Sequence, residues 1–335
     1  MRAPASGLTE FPAVPADVRL IDLAWNDLTE VPDWVAGLTA LEELRLDGNR
    51  LRSLPDLSGL PALRALHLDG NELTSSPGCP PSLETLFLYG NRVGAIPDRL
   101  SPALRHLAAG GNGLTGVPSS LWKLTGLESL NLAENALTEV PPAIGGLTRL
   151  RMLDLGHNRL DSVPSELGDL DLTDYLYLSD NRFTEVPEAI GRLDRLAYLN
   201  LTDNRLTRLP ESLGRMAALV ELRLYNNRLE SLPESIGGLA GLRELHAQGN
   251  RLTRLPASIA ELGELRVLDL RNNHLRELPD RLPPGLRHLD LRNNRLRELP
   301  ASLPPLDKLD LRWNKLDGEP EVLRRLRDQG CVILR

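Results

Sequence analysis

The chain has 335 residues, 41% hydrophobic but only 4% aromatic, and a formal net charge of -7. Leucine, valine, isoleucine and alanine must therefore build the core, and the acidic balance disfavours a nucleic-acid partner. Two cysteines, Cys79 and Cys331, exclude a disulfide framework and fit a reducing compartment.

The N-terminal stretch Met1 to Pro12 has no apolar h-region, so no secretory signal peptide is expected. No run approaches the ~18 apolar residues of a membrane span. Prolines 4, 12 and 15 forbid a helix over residues 1–17, which read as a loose lead-in covering the first leucine layer.

From Val18 onward one pattern recurs. Its ladder residue N is Asn26, Asn49, Asn71, Asn91, Asn112, Asn135 and Asn158, and then Asn181, Asn204, Asn227, Asn250, Asn273, Asn294 and Asn314. The spacings are 23, 22, 20 and 21, then 23 seven times, then 21 and 20, with a proline at N+6 in every copy. Such a period marks a solenoid, which grows along one axis without a second core. In this arrangement Cys79 and Cys331 stand too far apart to bridge.

The copy from Leu196 to Pro210 shows the chemistry. Leu196, Leu199, Leu201, Leu206 and Leu209 hold N-8, N-5, N-3, N+2 and N+5. Alternation over N-6 to N-2 is the period of a strand, with N-5 and N-3 inward and N-6, N-4 and N-2 toward solvent. An asparagine amide both donates and accepts, so one side chain can satisfy backbone groups in its own turn and the next. Proline at N+6 opens the opposite segment without wasting a donor. Long copies continue as in Pro233 to Leu239 and have room for a helical turn. Short copies, such as Leu282 to Leu286, should cross in extended or 3₁₀ form.

These framework residues resemble the leucine-rich repeat family over residues 18 to 323. The resemblance implies an α/β repeat fold, a right-handed curved solenoid with parallel strands on a concave face. It predicts a lead-in over 1–17, fourteen repeats over 18–317 and a helix-strand cap over 318–335. The short copies resemble bacterial leucine-rich repeat effectors; the 23-residue copies resemble intracellular Ras-binding scaffolds. Some such effectors carry a ubiquitin-ligase domain after the repeats, for which the residues after Asn314 leave no room.

The C-terminal segment Glu321 to Leu334 reads as an amphipathic helix, a stop at Gly330 and a final strand that together shield the last layer. Arg324, Arg325 and Arg327 read as its solvent face. Framework departures are Thr173 at N-8, Ala109 and Ala247 at N-3, and Ser76 and Glu319 at N+5. All but the terminal Glu319 predict underpacked layers.

The solvent side of the strands is the expected binding face. At ~4.8 Å between strands its arc is on the order of 60 Å, a protein-sized surface. All five tyrosines fall on N-6, N-4 or N-2: Tyr89, Tyr175, Tyr177, Tyr198 and Tyr225. Phe87 does too, with His67, His106, His246 and His288. Strand propensity alone favours tyrosine there, but it does not explain why no tyrosine lies elsewhere. Exposed tyrosine is a favoured contact residue. The predicted protein-binding set is Phe87, Tyr89, Asn131, Asp154, Tyr175, Tyr177, Tyr198, Asn200, Arg223, Tyr225 and His246. Between Phe87/Tyr89 and Tyr175/Tyr177 the floor is small (Ala108, Gly110, Ala133, Gly156), which predicts a shallow trough.

Residues 266–335 hold 15 Lys+Arg against 11 Asp+Glu, so the remainder carries -11. There Asp269, Asp290 and Asp310 align at N-4, and Arg271, Arg292 and Arg312 at N-2. These ladders either neutralise each other or form a second, charged site for an acidic segment. No phosphate loop, Cys-x-x-Cys or His-Glu-x-x-His motif is present. The expected function is a non-enzymatic scaffold or adaptor without cofactor or metal, cytoplasmic and monomeric, binding a protein partner but neither nucleic acid nor membrane. The alternative is a delivered effector or recognition subunit, exported by a non-classical route and serving an enzyme on another chain.

Overall fold

A computed structural model describes residues 1–335. The chain forms two compact units, residues 1–139 with 143–159, and residues 140–142 with 160–335. Each is a stack of three-residue parallel strands in chain order, joined by short 3₁₀ turns with little α-helix.

The first unit holds β1 (Leu20–Asp22), β2 (Glu43–Arg45), β3 (Ala65–His67), β4 (Thr85–Phe87), β5 (His106–Ala108), β6 (Ser129–Asn131) and β7 (Met152–Asp154). Every strand covers N-6 to N-4, and N-5 pairs with N-5, as Leu44 with Leu66 and Leu86 with Leu107. Leu66, Leu68 and Leu73 at N-5, N-3 and N+2 have no exposure, as the alternation requires. Along N-7 the charges alternate from Arg19 and Glu42 through Arg64 and Glu84 to Arg105 and Glu128, and each such pair closes across copies.

Residues 1–12 are ordered against β1. Met1 and Ala3 exchange backbone bonds with Asp22, and Asn26 donates to Ala3 while accepting from Ser6 and Leu8. Ser6, Leu8, Phe11 and Pro12 thus occupy N, N+2, N+5 and N+6 of a partial copy in which serine replaces the ladder asparagine. The expectation of a loose segment missed this because the period was anchored on asparagine alone.

The second unit holds β8 (Tyr175–Tyr177), β9 (Tyr198–Asn200), β10 (Glu221–Arg223) and β11 (Glu244–His246). It continues with β12 (Val267–Asp269), β13 (His288–Asp290), β14 (Lys308–Asp310) and β15 (Val332–Leu334). Asn204 shows the ladder: its Nδ2 donates to Leu201 O at 3.3 Å and to Leu178 O of the previous copy at 2.9 Å. Its Oδ1 accepts Phe183 N at 3.0 Å. Thr173 leaves no hole, because Leu172, one residue earlier, is 1% exposed and fills the layer. The expected weak layer is therefore corrected by a one-residue shift. Ser76, in the first unit, does leave its hydroxyl buried without a partner.

The eight 3₁₀ helices occur in the copies followed by a 23-residue spacing and in no shorter copy. Where a glycine follows the Ile or Leu of the turn they stack closely. A Cβ on Gly168, Gly191 or Gly214 would stand 2.2 Å from the carbonyl oxygen of Ala189, Ser212 or Ser235, one copy on. Glu188 and Glu211 accept the N–H groups of Ser212 and Ser235, capping the next turn from the previous copy.

At the end of the chain α1 (Glu321–Asp328) buries Val322, Leu323 and Leu326, while Arg324, Arg325 and Arg327 face solvent. Gly330, at φ +91°, turns the chain into β15, which pairs with β14.

Position N-1 carries a signal the sequence reading passed over. It has positive φ in all fourteen copies, by glycine in five and otherwise by residues such as Asp203, Asn226 and Asn272. The chain leaves each strand through a left-handed turn, which Gly, Asn and Asp tolerate best. Trp25 at φ 59° and Trp313 at φ 61° take this conformation against the preference of a bulky side chain.

Candidate functional site

In the first unit Phe87 ends β4 and meets His67 edge-on at 5.1 Å between ring centres. Burial pulls the His67 imidazole below its usual value, so it stays neutral. Tyr89 lies across Gly110, where a Cβ would be 2.7 Å from the ring, and donates its hydroxyl to Glu134. That bond pushes the phenol up to about 12. The wall expected at Tyr89 thus covers part of the small-residue floor. The opposite wall, Tyr175 and Tyr177, belongs to the second unit.

Asn131 and Asp154 are half-buried, and each turns an Oδ1 back to its own chain, accepting Ala133 N and Gly156 N at 2.9 Å. Burial raises the Asp154 carboxyl. Asp47 and Asp69 form a second feature: Asp47 Oδ1 accepts Asp69 N at 3.1 Å, and Asp69 Oδ1 accepts Tyr89 N at 2.7 Å. Burial, with Asp47 nearby, pushes Asp69 up to about 6.

In the second unit the aromatic residues form a row. Tyr175 stacks on Tyr177 at 4.5 Å, Tyr177 meets Tyr198 at 5.3 Å, and the Arg223 guanidinium lies 5.2 Å over Tyr198. Burial raises the Tyr198 phenol, so it remains a neutral donor. Asn200 accepts Thr202 N at 3.1 Å, as Asn131 does in its own turn. Tyr225 is half-buried beyond Arg223. His246 Nε2 stands 3.1 Å from Glu244 and 3.8 Å from Glu221.

Glu221, Glu244 and His246 bring ligand atoms within 4.8 Å of one another. Arg223 Nε already sits 2.6 Å from Glu221, supplying the positive charge a metal would bring. Neither thiol suits nucleophilic work, since burial pushes Cys79 up to about 11 and also raises Cys331.

Farther along, the two ladders pair. Arg271 lies 3.5 Å from Asp269, Arg292 2.5 Å from Asp290 and 3.3 Å from Asp310, and Arg312 2.7 Å from Asp310. Burial opposes charge on Asp310, but the Arg312 bonds and the two guanidiniums outweigh it and hold the carboxyl below its usual value. Trp313 is 69% exposed beside them, with the Arg312 guanidinium 5.5 Å over its ring. Trp313 was absent from the residues expected to bind. The signal was available: a tryptophan at a turn position that glycine, asparagine or aspartate fills in ten of the fourteen copies, shared only with Trp25 at the other end of the array.

No helix is long and apolar enough to cross a membrane. Comparison with known proteins accounts for the repeat. The leucine rich repeat family model matches residues 16–73, 102–160, 125–183, 173–229, 194–252 and 263–316. No curated protein matches the sequence significantly. Among solved structures, a leucine-rich repeat protein of Leptospira interrogans is 31% identical with a TM-score of 0.87, covering 99% of this chain and 94% of that one. YopM from Yersinia enterocolitica is 30% identical with a TM-score of 0.64, over 92% of this chain and 72% of that one. The Arabidopsis receptor kinase HAESA, solved with the peptide hormone IDA and the co-receptor SERK1, is 27% identical with a TM-score of 0.78, over 95% of this chain and 58% of that one. With the family model covering well over half its length and its strands, ladder and turns in the same register, the chain belongs to the leucine-rich repeat family.

Proposed function

We propose that the chain is a non-enzymatic scaffold that binds a protein partner on the open face of its sheet, with the tyrosine row of β8 and β9 at the centre of the contact. The observation that carries this reading is the packed series Tyr175, Tyr177, Tyr198 and Arg223. Rings already packed against one another lose little freedom on binding, and tyrosine offers both area and a hydroxyl. Rows of this kind on a wide sheet suit a protein surface rather than a small metabolite. The HAESA complex, in which a related fold is solved with a peptide hormone, supports a peptide or protein ligand. The reading takes the chain as a cytoplasmic monomer without cofactor, in keeping with its two free thiols.

The likeness to the Leptospira and Yersinia proteins supports a second reading, in which the chain is a delivered effector or presents a substrate to an enzyme on another chain. An affinity pull-down from source lysate tests the first reading, using the wild type beside a Tyr175/Tyr177/Tyr198→Ala variant. A protein retained by the first and lost by the second supports it. Equal retention removes the tyrosine row from the contact. Retention only from a host lysate turns the assignment to the effector reading.

A further inference from the structure

We propose that the second unit carries a separate groove for an acidic segment of a protein partner, whose carboxylates meet Arg223, Arg271 and Arg292. This rests on the scaffold reading above and adds the chemistry of the partner.

The groove has a volume of about 660 Å³ and runs between Arg223 and Trp313 on the open face. Besides the three arginines, its lining consists of His246, the side-chain amides of Asn226, Gln248 and Asn272, and the rings of Tyr225 and Trp313. No carboxylate lines it, although Glu221, Asp269, Asp290 and Asp310 lie beside its arginines, Glu244 lies 3.1 Å from His246, and Asp203 accepts a bond from Asn226 at 2.8 Å. Beside Arg223 and Arg271 the reason is depth. The side chains of Glu221 and Asp269 are 19% and 13% exposed, whereas Arg223 and Arg271 reach 39% and 40%; Asp290 and Arg292 are level at 23% and 24%, above Asp310 at 4%.

Glu221 and Asp290 hold their arginines by the inner edge, and Asp269 faces the same edge of Arg271 more loosely. Nε of Arg223 is 2.6 Å from Glu221, Nε of Arg271 3.5 Å from Asp269, and Nε of Arg292 3.0 Å from Asp290. The five donors of a guanidinium are fixed in one plane, so holding Nε aims the outer nitrogens. The terminal nitrogens of Arg223 and Arg271 make no hydrogen bond of their own. The acids thus orient the forks while cancelling much of their charge. A polyanion is drawn by net charge, which is small here. A carboxylate is recognised by a fork of donors in a plane, which Arg223 and Arg271 offer whole, while Nη2 of Arg292 is already held by Asp290 at 2.5 Å.

Two further features favour a peptide chain as the bearer of those carboxylates. Trp313 and Tyr225 flank the arginines with apolar surface for neighbouring side chains. Gln248 Oε1 is buried without a donor, an unmet acceptor in the groove wall of the kind a peptide N–H satisfies. The positive balance of residues 266–335 then assists approach of an acidic segment.

The test selects a phage-displayed library of random linear peptides on the wild-type chain. Enriched peptides are then labelled and measured by fluorescence anisotropy against wild type, Arg271→Gln, the charge control Arg19→Gln and Tyr177→Ala. Arg271 is chosen because its ion pair is loose and half-exposed; Arg292→Gln would strand Asp290. The expected peptides carry closely spaced Asp or Glu. Their affinity should fall about tenfold in Arg271→Gln, and again when their acids become amides, but not in Arg19→Gln, whose exposed pair with Glu42 lies in the first unit. Neutral or basic winners, acidic winners indifferent to Arg271→Gln, or no enrichment would each overturn the groove. Tighter, Arg271-dependent binding of a phosphopeptide or single-stranded oligonucleotide would replace the carboxylate assignment with a phosphate one. Binding lost in Tyr177→Ala alone would sink the groove while leaving the scaffold reading intact.

Discussion

Gly191 lies so close to Ser212 of the following copy that a Cβ would stand 2.2 Å from its carbonyl oxygen. The glycine of the I-G-x-L segment is thus a spacing device between neighbouring 3₁₀ turns. Gly191→Ala should lower stability by about 1–3 kcal/mol, the usual cost of overpacking. Gly263 has nothing within 4 Å of a built Cβ, so Gly263→Ala serves as the control and should be neutral or slightly stabilising. Thermal unfolding of both variants checks this, and equal melting temperatures would refute the spacing role.

Asn204→Ala should cost more than a typical surface change. It strips donors from Leu178 O, Leu201 O and Thr202 O and the acceptor from Phe183 N, all at a buried site. Stranded buried groups cost about 1–3 kcal/mol each when water cannot reach them. Chemical denaturation should show a loss of at least about 2 kcal/mol. Hydrogen exchange should speed up at Phe183 first, since its N–H loses its partner.

Asp69 links stability to pH. Its carboxyl is raised to about 6 in the folded chain, above the ordinary unfolded value. A raised acid contributes stability that is complete below the unfolded pKa and is lost as pH rises through the folded one. Asp69→Asn keeps an acceptor for Tyr89 N and removes the charge. It should raise the melting temperature at pH 7.5 and leave it nearly unchanged near pH 4. The gain should be about 1 kcal/mol, since the site is partly open to solvent. A variant that gains equally at both pH values would show that charge is not the cause.

Tyr177→Ala should leave the fold nearly intact and weaken partner binding by tenfold or more, on the scale of about 2 kcal/mol for a central aromatic. The ring is half-buried and packed between Tyr175 and Tyr198. Calorimetry on the captured partner reads the affinity, and circular dichroism reads the fold. Unfolding on substitution would make the row structural instead.

The framework was legible because leucine spacing, the asparagine and the proline each answer a backbone demand that repeats in every copy. A helical turn in the 23-residue copies followed from spacing, since only they have chain enough for one; that this turn is 3₁₀, and that the short copies cross without any, did not. Leu172 was not legible as the filler of its layer, because a shift of one residue leaves composition unchanged and only packing reveals it. The order of residues 1–12 was missed because Ser6 replaces the asparagine used as the marker. On the open face, the positions of the tyrosines followed from the strand phase. Their mutual stacking did not, and neither did the inward turn of Asn131, Asp154 and Asn200, because a side-chain torsion leaves no trace in spacing. Trp313 escaped notice because N-1 was read as a turn position and not as a surface one.

The repeated glycine-to-carbonyl approach has a consequence for how this protein can change. Gly168, Gly191, Gly214 and Gly237 each face the same kind of backbone atom one copy on. An in-frame duplication or loss of one 23-residue copy within this block restores a matching neighbour on both sides. A change of one or two residues sets a side chain against a carbonyl. The gene can therefore lengthen or shorten this sheet in whole steps, adding or removing one strand at a time, while fractional steps are closed to it.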